Sequence, residues 1–111
     1  MKVKSDITEN IEVISIIGRI EMIHIEEFRN KAFKLVEKGE NGIIFDLKNL
    51  EYINSAGLGI LIHIAKNMEK SKRDLAFCSL KENILEIFKI AGFTKILNVF
   101  PTKEDALKVF N

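Results

Sequence analysis

The sequence predicts a single α/β domain: a mixed β-sheet of four to five strands with about four helices, in the order ββαβαβαβα. Three observations lead there. Short runs rich in β-branched and aromatic residues alternate with longer stretches whose apolar residues recur at helical spacing. The connections between them are short, with no repeat, linker or low-complexity segment, so residues 1–111 read as one domain. A hydrophobic fraction of 47% in a chain of 111 residues is enough for a core without disulfides or metals.

The elements follow in order. Val3 to Ile17 reads as two strands joined at Glu9-Asn10, with Gly18 breaking the run. A helix is expected from about Ile25 to Lys38, where Phe28, Ala32, Leu35 and Val36 share a face and Gly39 supplies a stop. Ile43 to Leu47 is a nearly continuous apolar run, as in a strand covered on both faces. A second helix runs from about Ala56 to Lys70, with Leu58, Leu61, Ile62, Ala65 and Met68 at helical intervals and Ser55 at the N-cap position. Leu75 to Cys78 is another short buried strand. Ser79 and Glu82 have capping-box spacing ahead of a third helix that turns Ile84, Ile87, Phe88 and Ala91 inward and stops at Gly92. Ile96 to Phe100 reads as a last edge strand. Thr102 caps a final helix with Ala106, Val109 and Phe110 toward the core. The helices are expected mainly on one side of the later strands.

Composition narrows the function classes. The formal net charge is +1, and no basic stripe is interleaved with aromatics, which argues against nucleic-acid binding. The mixed-sign cluster from Lys66 to Arg73 reads as the solvated end of a helix. Cys78 is the one cysteine and follows an apolar run, so it reads as a small buried hydrophobe in a reducing compartment. The N-terminus turns polar at once, and the longest apolar stretch, Ala56 to Ala65, is far short of the ~20 residues of a membrane span. A cytoplasmic protein with no membrane span is expected. His24 and His63 have no Cys or His at metal-ligand spacing, and no cofactor motif is present, so no metal or cofactor is expected.

Only Asn54 to Gly59 asks for a functional explanation. A strand ends and Ser55 stands at a helix entry, where the first N–H groups lack helical partners. Gly57 and Gly59 each cost that helix about 1 kcal/mol relative to alanine, a cost that close approach of another backbone or a partner would offset. The helix start favours negative charge, so a phosphate on Ser55 is tolerable to the fold. It would add about −1.5 to −2 charges to a surface. Local chemistry alone leaves Ser55 as a plain cap or as a switch. The spacing does not match a phosphate-binding P-loop. Ser55 is outside any Gly-x-Ser-x-Gly, and no oriented base is apparent, so a hydrolase is set aside.

The wider pattern is more specific. The apolar strand at Ile43, Asp46-Leu47, a spacer, Tyr52, Ile53, Asn54, Ser55, Ala56 and Gly57-Leu58-Gly59 closely resemble the signature of the STAS family. These are the sulfate-transporter and anti-sigma-factor-antagonist domains. Gly18-Arg19-Ile20-Glu21 resembles the family's Gly-x-Leu-Asp after the second strand. Ile84 to Phe93 and Glu104-Asp105-Ala106-Leu107 resemble its third and closing helices. The likeness covers nearly the whole chain, whose length is that of the free-standing bacterial antagonists.

The resemblance implies a non-enzymatic regulator. By position, Ser55 matches the antagonists' phosphoacceptor, and Asn54, Ala56, Gly57, Leu58 and Gly59 match the surface that meets the partner. Glu21 stands where the family often has Asp, Asn54 where it often has Asp, and Ala56 where it often has Ser or Thr. His24 follows Glu21 and borders the serine loop in the resembled fold. The implied partners are an anti-sigma factor that is also a serine-protein kinase, and a phosphatase that resets the switch. The alternative is a STAS binding module that is never phosphorylated, serving as a scaffold, nucleotide binder or lipid-system subunit.

Overall fold

The computed structural model describes residues 1–110. Its elements are β1 (Lys2–Thr8), β2 (Ile11–Ile20), α1 (Ile25–Lys38), β3 (Ile43–Asp46), β4 (Leu50–Ile53), α2 (Ser55–Lys70), β5 (Leu75–Cys78), α3 (Glu82–Ile90), β6 (Val99–Phe100) and α4 (Lys103–Lys108). Short 3₁₀ turns at Met22–His24 and Phe93–Lys95 precede α1 and β6. The mixed α/β sheet and its four helices are as the sequence predicts. The sheet has six strands, one more than expected: β4 lies between the expected third strand and second helix.

The strand order is β1-β2-β3-β5-β6, with β4 also paired to β2. Only β1 runs antiparallel; β2 pairs in parallel with β3 and β4, β3 with β5, and β5 with β6. The β1–β2 hairpin turns on Glu9 and Asn10, both at positive φ (52° and 68°), as a two-residue primed turn requires. Gly18 does not end β2. It sits at φ 98°, the register slips between Gly18 and Arg19, and the strand continues to Ile20. That irregularity turns β2 away from β3 and onto β4.

Two apolar clusters fill the two faces. The larger gathers Ile14, Ile16 and Ile20 of β2, Phe28 and Ala32 of α1, Leu61 and Ile64 of α2, and Ile84 and Phe88 of α3. Phe45 and Phe77 stack at its centre, ring centroids 5.3 Å apart, and Phe88 meets Phe77 edge-on at 5.9 Å. The smaller sits beneath the sheet, where Ala106 of α4 packs on Ile11, Val13, Ile44, Ala76 and Cys78. Three helices therefore share one face and the fourth covers the other.

Several local expectations are corrected. The α2 stripe centres on Gly57, Ile60, Leu61, Ile64 and Met68, while Leu58, Ile62 and Ala65 are half-buried at its margin. Ala91 and Val109 are exposed instead of facing the core, because their helices end before the stripe reaches them. Ser79 does not cap α3: it lies at φ 61°, Lys81 is the N-cap, and no side chain bonds there. Thr102 does cap α4, its Oγ1 accepting from the Asp105 amide at 3.0 Å. In the cluster from Lys66 to Arg73, Arg73 is a structural clamp. Its guanidinium donates to the Val36 carbonyl at 2.7 Å and to the Asn41 carbonyl at 2.8 Å, closing the end of α1.

Candidate functional site

The site begins where β2 and β4 end side by side. Ile20 pairs with Ile53, and the Asn54 amide donates to the Ile20 carbonyl at 3.1 Å. The chain after β2 and the entry to α2 are therefore held together. Glu21 and the serine loop, distant in sequence, share one end of the sheet.

Asn54, not Ser55, caps α2. Its backbone is extended (φ −88°, ψ 177°), its Oδ1 accepts from the Gly57 amide at 2.8 Å, and its carbonyl receives the Leu58 amide at 3.0 Å. Asn and Ser are both strong N-cap formers, and Asn outreaches Ser toward the third amide. Ser55 becomes the first helical residue. It is exposed, and among the described residues no hydrogen bond uses its hydroxyl. Asn54→Ala is expected to lower stability by about 1 kcal/mol, with Asn54→Asp retaining or raising it, because a carboxylate keeps the bond and complements the helix terminus. Thermal unfolding of the two variants measures both effects.

The two glycines differ. A Cβ on Gly57 would stand 2.7 Å from Ile53 Cγ1 and 3.0 Å from Ile20 Cγ2, both buried, so this glycine lets α2 seat on the two strand ends. A Cβ on Gly59 would meet nothing within 4 Å, and Gly59 is exposed. Internal packing accounts for the first glycine and not the second. Ala56 is also exposed and Leu58 half-buried, so the start of α2 presents the small residues Ser55, Ala56 and Gly59 to solvent.

Glu21 and His24 lie beside it. The His24 amide donates to the Glu21 carbonyl at 2.9 Å, and the Glu21 amide donates to His24 Nδ1 at 3.1 Å. This reciprocal pair fixes the 3₁₀ turn, with His24 Nδ1 as the accepting nitrogen. Arg19 reaches back to Glu21 at 3.5 Å and lies over the Tyr52 ring, 4.7 Å from its centroid. The turn itself raises two residues that the sequence reading passed over: Met22 is 78% and Ile23 85% exposed. The available signal was two adjacent apolar residues between a strand and a helix that fit neither stripe.

Groups elsewhere behave structurally. His63 is exposed and packs edge-on against Phe33 at 5.1 Å. Among the described residues no group of His, Cys, Asp and Glu is arranged to hold a metal, and no helix is long and apolar enough to cross a membrane. Cys78 is buried on β5. Burial pushes its thiol up to about 11, against an opposing interaction with Ser79. The folded value lies above that of an unfolded thiol, so its contribution to stability is present below the unfolded value and lost as pH rises toward 11. A thiol reagent at pH 8 is expected to label Cys78 only at the rate of unfolding, and immediate labelling of the native protein would contradict that burial.

The domain and its exposed serine loop define a class, and comparison with known proteins gives it a name. The STAS domain model matches residues 2–106, and the chain belongs to the STAS domain family. BtrV of Bordetella bronchiseptica, provisionally named an anti-sigma factor antagonist, is 31% identical over 110 residues, 99% of this chain and 95% of that protein. The anti-sigma-B factor antagonist of Bacillus subtilis is 27% identical over 100 residues, 90% of this chain and 91% of its own length. The fold matches that of the anti-sigma factor antagonist SpoIIAA in its unphosphorylated form, with a TM-score of 0.78 at 18% identity, covering 96% of this chain and 93% of that one. SpoIIAA of Bacillus in its phosphorylated form gives 0.74 at 18% identity, covering 99% and 100%.

Proposed function

We propose that this chain is an anti-sigma factor antagonist of the cytoplasm, switched by phosphorylation of Ser55. Unmodified, it binds an anti-sigma factor that is also a serine kinase and so releases a sigma factor. Phosphorylated, it lets go, and a phosphatase restores it. The protein supplies the acceptor hydroxyl and the docking surface and performs no catalysis of its own. The single observation that carries this reading is the division of labour at the start of α2. Asn54 satisfies the Gly57 amide, so the Ser55 hydroxyl stands exposed and uncommitted. A serine needed only as a cap would be bonded there. The names of the relatives support the same reading.

Docking on this end of the sheet favours an apolar anchor, and Met22 and Ile23, exposed on the turn that leaves β2 where Ile20 meets Asn54, supply one. Glu21, His24, Asn54, Ala56, Leu58 and Gly59 complete the surface, while Gly57, buried against Ile20 and Ile53, serves it by seating α2. Ile23→Asp is expected to weaken partner binding more than tenfold while leaving the melting temperature within a degree or two, since an exposed side chain contributes little to the fold. Calorimetric titration of the partner, with thermal unfolding in parallel, reads both effects. The reading itself is tested by capture from lysate of the native host. The unmodified chain and Ser55→Ala should both retain an ATP-binding kinase. A chain carrying phosphoserine at position 55 should not. Equal retention by all three would move the assignment to a constitutive STAS binding module.

A further inference from the structure

Among the described residues β1 pairs with β2 alone, leaving its other side open. The open edge can be read residue by residue. Glu12 of β2, opposite Ile7, sends its amide the other way, to the Gly42 carbonyl at 3.0 Å. Ile7 and Glu12 are therefore a non-hydrogen-bonded pair. Alternation along an antiparallel ladder then leaves Val3, Ser5 and Ile7 with N–H and C=O directed away from β2. The Ile7 amide is met there only by the Asp6 carboxylate of its own strand, at 3.0 Å. Ile7 is 57% exposed, and Lys4, Ser5 and Asp6 are exposed beside it.

We infer that this edge is built to pair antiparallel with β1 of a second copy, about a two-fold axis through Ser5. The sequence of the strand selects both occupant and register. A two-fold ladder that sets outward groups against outward groups must centre on a residue. Centring on Lys4 places that lysine against its own copy, centring on Asp6 does the same for the aspartate, and centring on Val3 sets Lys2 against Lys4; like charges directly opposite are destabilising, and centring on Ile7 runs the ladder into the Glu9-Asn10 turn. Centring on Ser5 places Lys4 against Asp6 of the second copy on one face, twice by symmetry. On the other face it places Val3 against Ile7, also twice, and it sets Lys2 against Thr8. Both faces are then matched, charge with countercharge and apolar with apolar. The Ile7 amide exchanges its local Asp6 partner for the Val3 carbonyl of the second copy, and Asp6 turns to Lys4. Lysines on an edge strand discourage association; here Asp6 of the second copy offers Lys4 its countercharge.

The geometry has a functional consequence. The two copies of β2 run in opposite directions across the joined sheet, so the two Ser55 loops face away from each other at opposite ends. A dimer of this kind leaves both acceptor sites exposed and is divalent.

Sedimentation velocity over a concentration series reaching about 1 mM tests the inference, since a small edge-to-edge contact associates weakly. The parent is expected to shift from monomer to dimer. Asp6→Lys and Lys4→Asp, both at exposed positions, should each dimerise at least about tenfold more weakly, because two attractive pairs become repulsive. An equimolar mixture of those two variants should recover association, since every charge of one copy then faces its opposite on the other. Ser5→Pro removes the outward amide together with the Ser5 Oγ bond to Glu12 of β2 at 2.6 Å, and should be monomeric, whereas Ser5→Ala, which removes that side-chain bond alone, should dimerise as the parent does. A parent that stays monomeric throughout, or charge or proline variants that dimerise as the parent does, would overturn the inference. So would a mixture that shows no recovery.

Discussion

Phosphorylation of Ser55 is expected to lower affinity for the partner kinase about a hundredfold, and Ser55→Glu about tenfold, with Ser55→Ala near the parent. The ordering follows from the surface around the hydroxyl. Ser55 stands among exposed Ala56 and Gly59, with Met22 and Ile23 raised beside it. A partner that covers this patch must strip water from whatever Ser55 carries. A phosphate brings about −1.5 to −2 charges, and burying it unpaired against apolar groups costs at least the ~2.7 kcal/mol that a hundredfold represents, whereas a carboxylate brings one charge, which its flexible stem turns partly toward water at a cost of about 1.4 kcal/mol, or tenfold. The methyl group of alanine costs nothing comparable. Stability should move the other way: a negative charge at the first helical position is favourable by about 0.3–1 kcal/mol. A loss of binding without a loss of melting temperature separates a switch from mere damage to the fold.

The second large effect is a change of sign between two neighbouring glycines. Gly57→Ala should destabilise the protein by up to about 2 kcal/mol. Overpacking costs about 1–3 kcal/mol, offset in part by the ~1 kcal/mol that alanine gains in a helix. The added methyl would lie 2.7 Å from Ile53 Cγ1 and 3.0 Å from Ile20 Cγ2, both in the larger core cluster, so neither neighbour can swing into solvent. Gly59→Ala meets nothing within 4 Å and should stabilise by about 1 kcal/mol through helix propensity alone. If Gly59 is kept small for a partner's approach, the stabilised variant binds that partner less tightly. Chemical denaturation and partner titration on the same two proteins separate the roles. Destabilisation by both substitutions would show that the start of α2 is read wrongly.

Much of the architecture was legible because single elements carried their own signals. The helical spacing of Phe28, Ala32 and Val36 with Gly39 behind them defined α1, and all three of those apolar residues are buried. The apolar run at Ile43 marked a strand covered on both faces, and Ile43, Ile44 and Phe45 are fully buried. β4 was harder. Its four residues, Leu50 to Ile53, are too few for a period, and they pair only with the end of β2, Gly18 to Ile20, across the register slip. No local pattern reports a strand whose partner is chosen by a bulge.

The serine loop was located by its motif, yet its wiring was not. Asn54 and Ser55 are adjacent and both suited to capping, and the choice depends on where the Ile20 carbonyl fixes the Asn54 amide. That contact spans more than thirty residues and has no local trace. Ser79 failed as a cap for a related reason. Its spacing to Glu82 is right, but its φ of 61° points the chain elsewhere. Met22 and Ile23 were passed over because an exposed apolar pair resembles an interrupted core stripe until the turn that lifts it is seen.

The most direct measurement of the central claim is the intact mass of the purified protein after incubation with ATP, Mg²⁺ and lysate from its native host, with Ser55→Ala treated in parallel. One added phosphoryl group on the parent and none on the variant is the predicted result, and it would fix the exposed hydroxyl at the first position of α2 as the acceptor. Equal phosphorylation of the two proteins, or none on the parent under conditions that phosphorylate another host protein, would contradict the account.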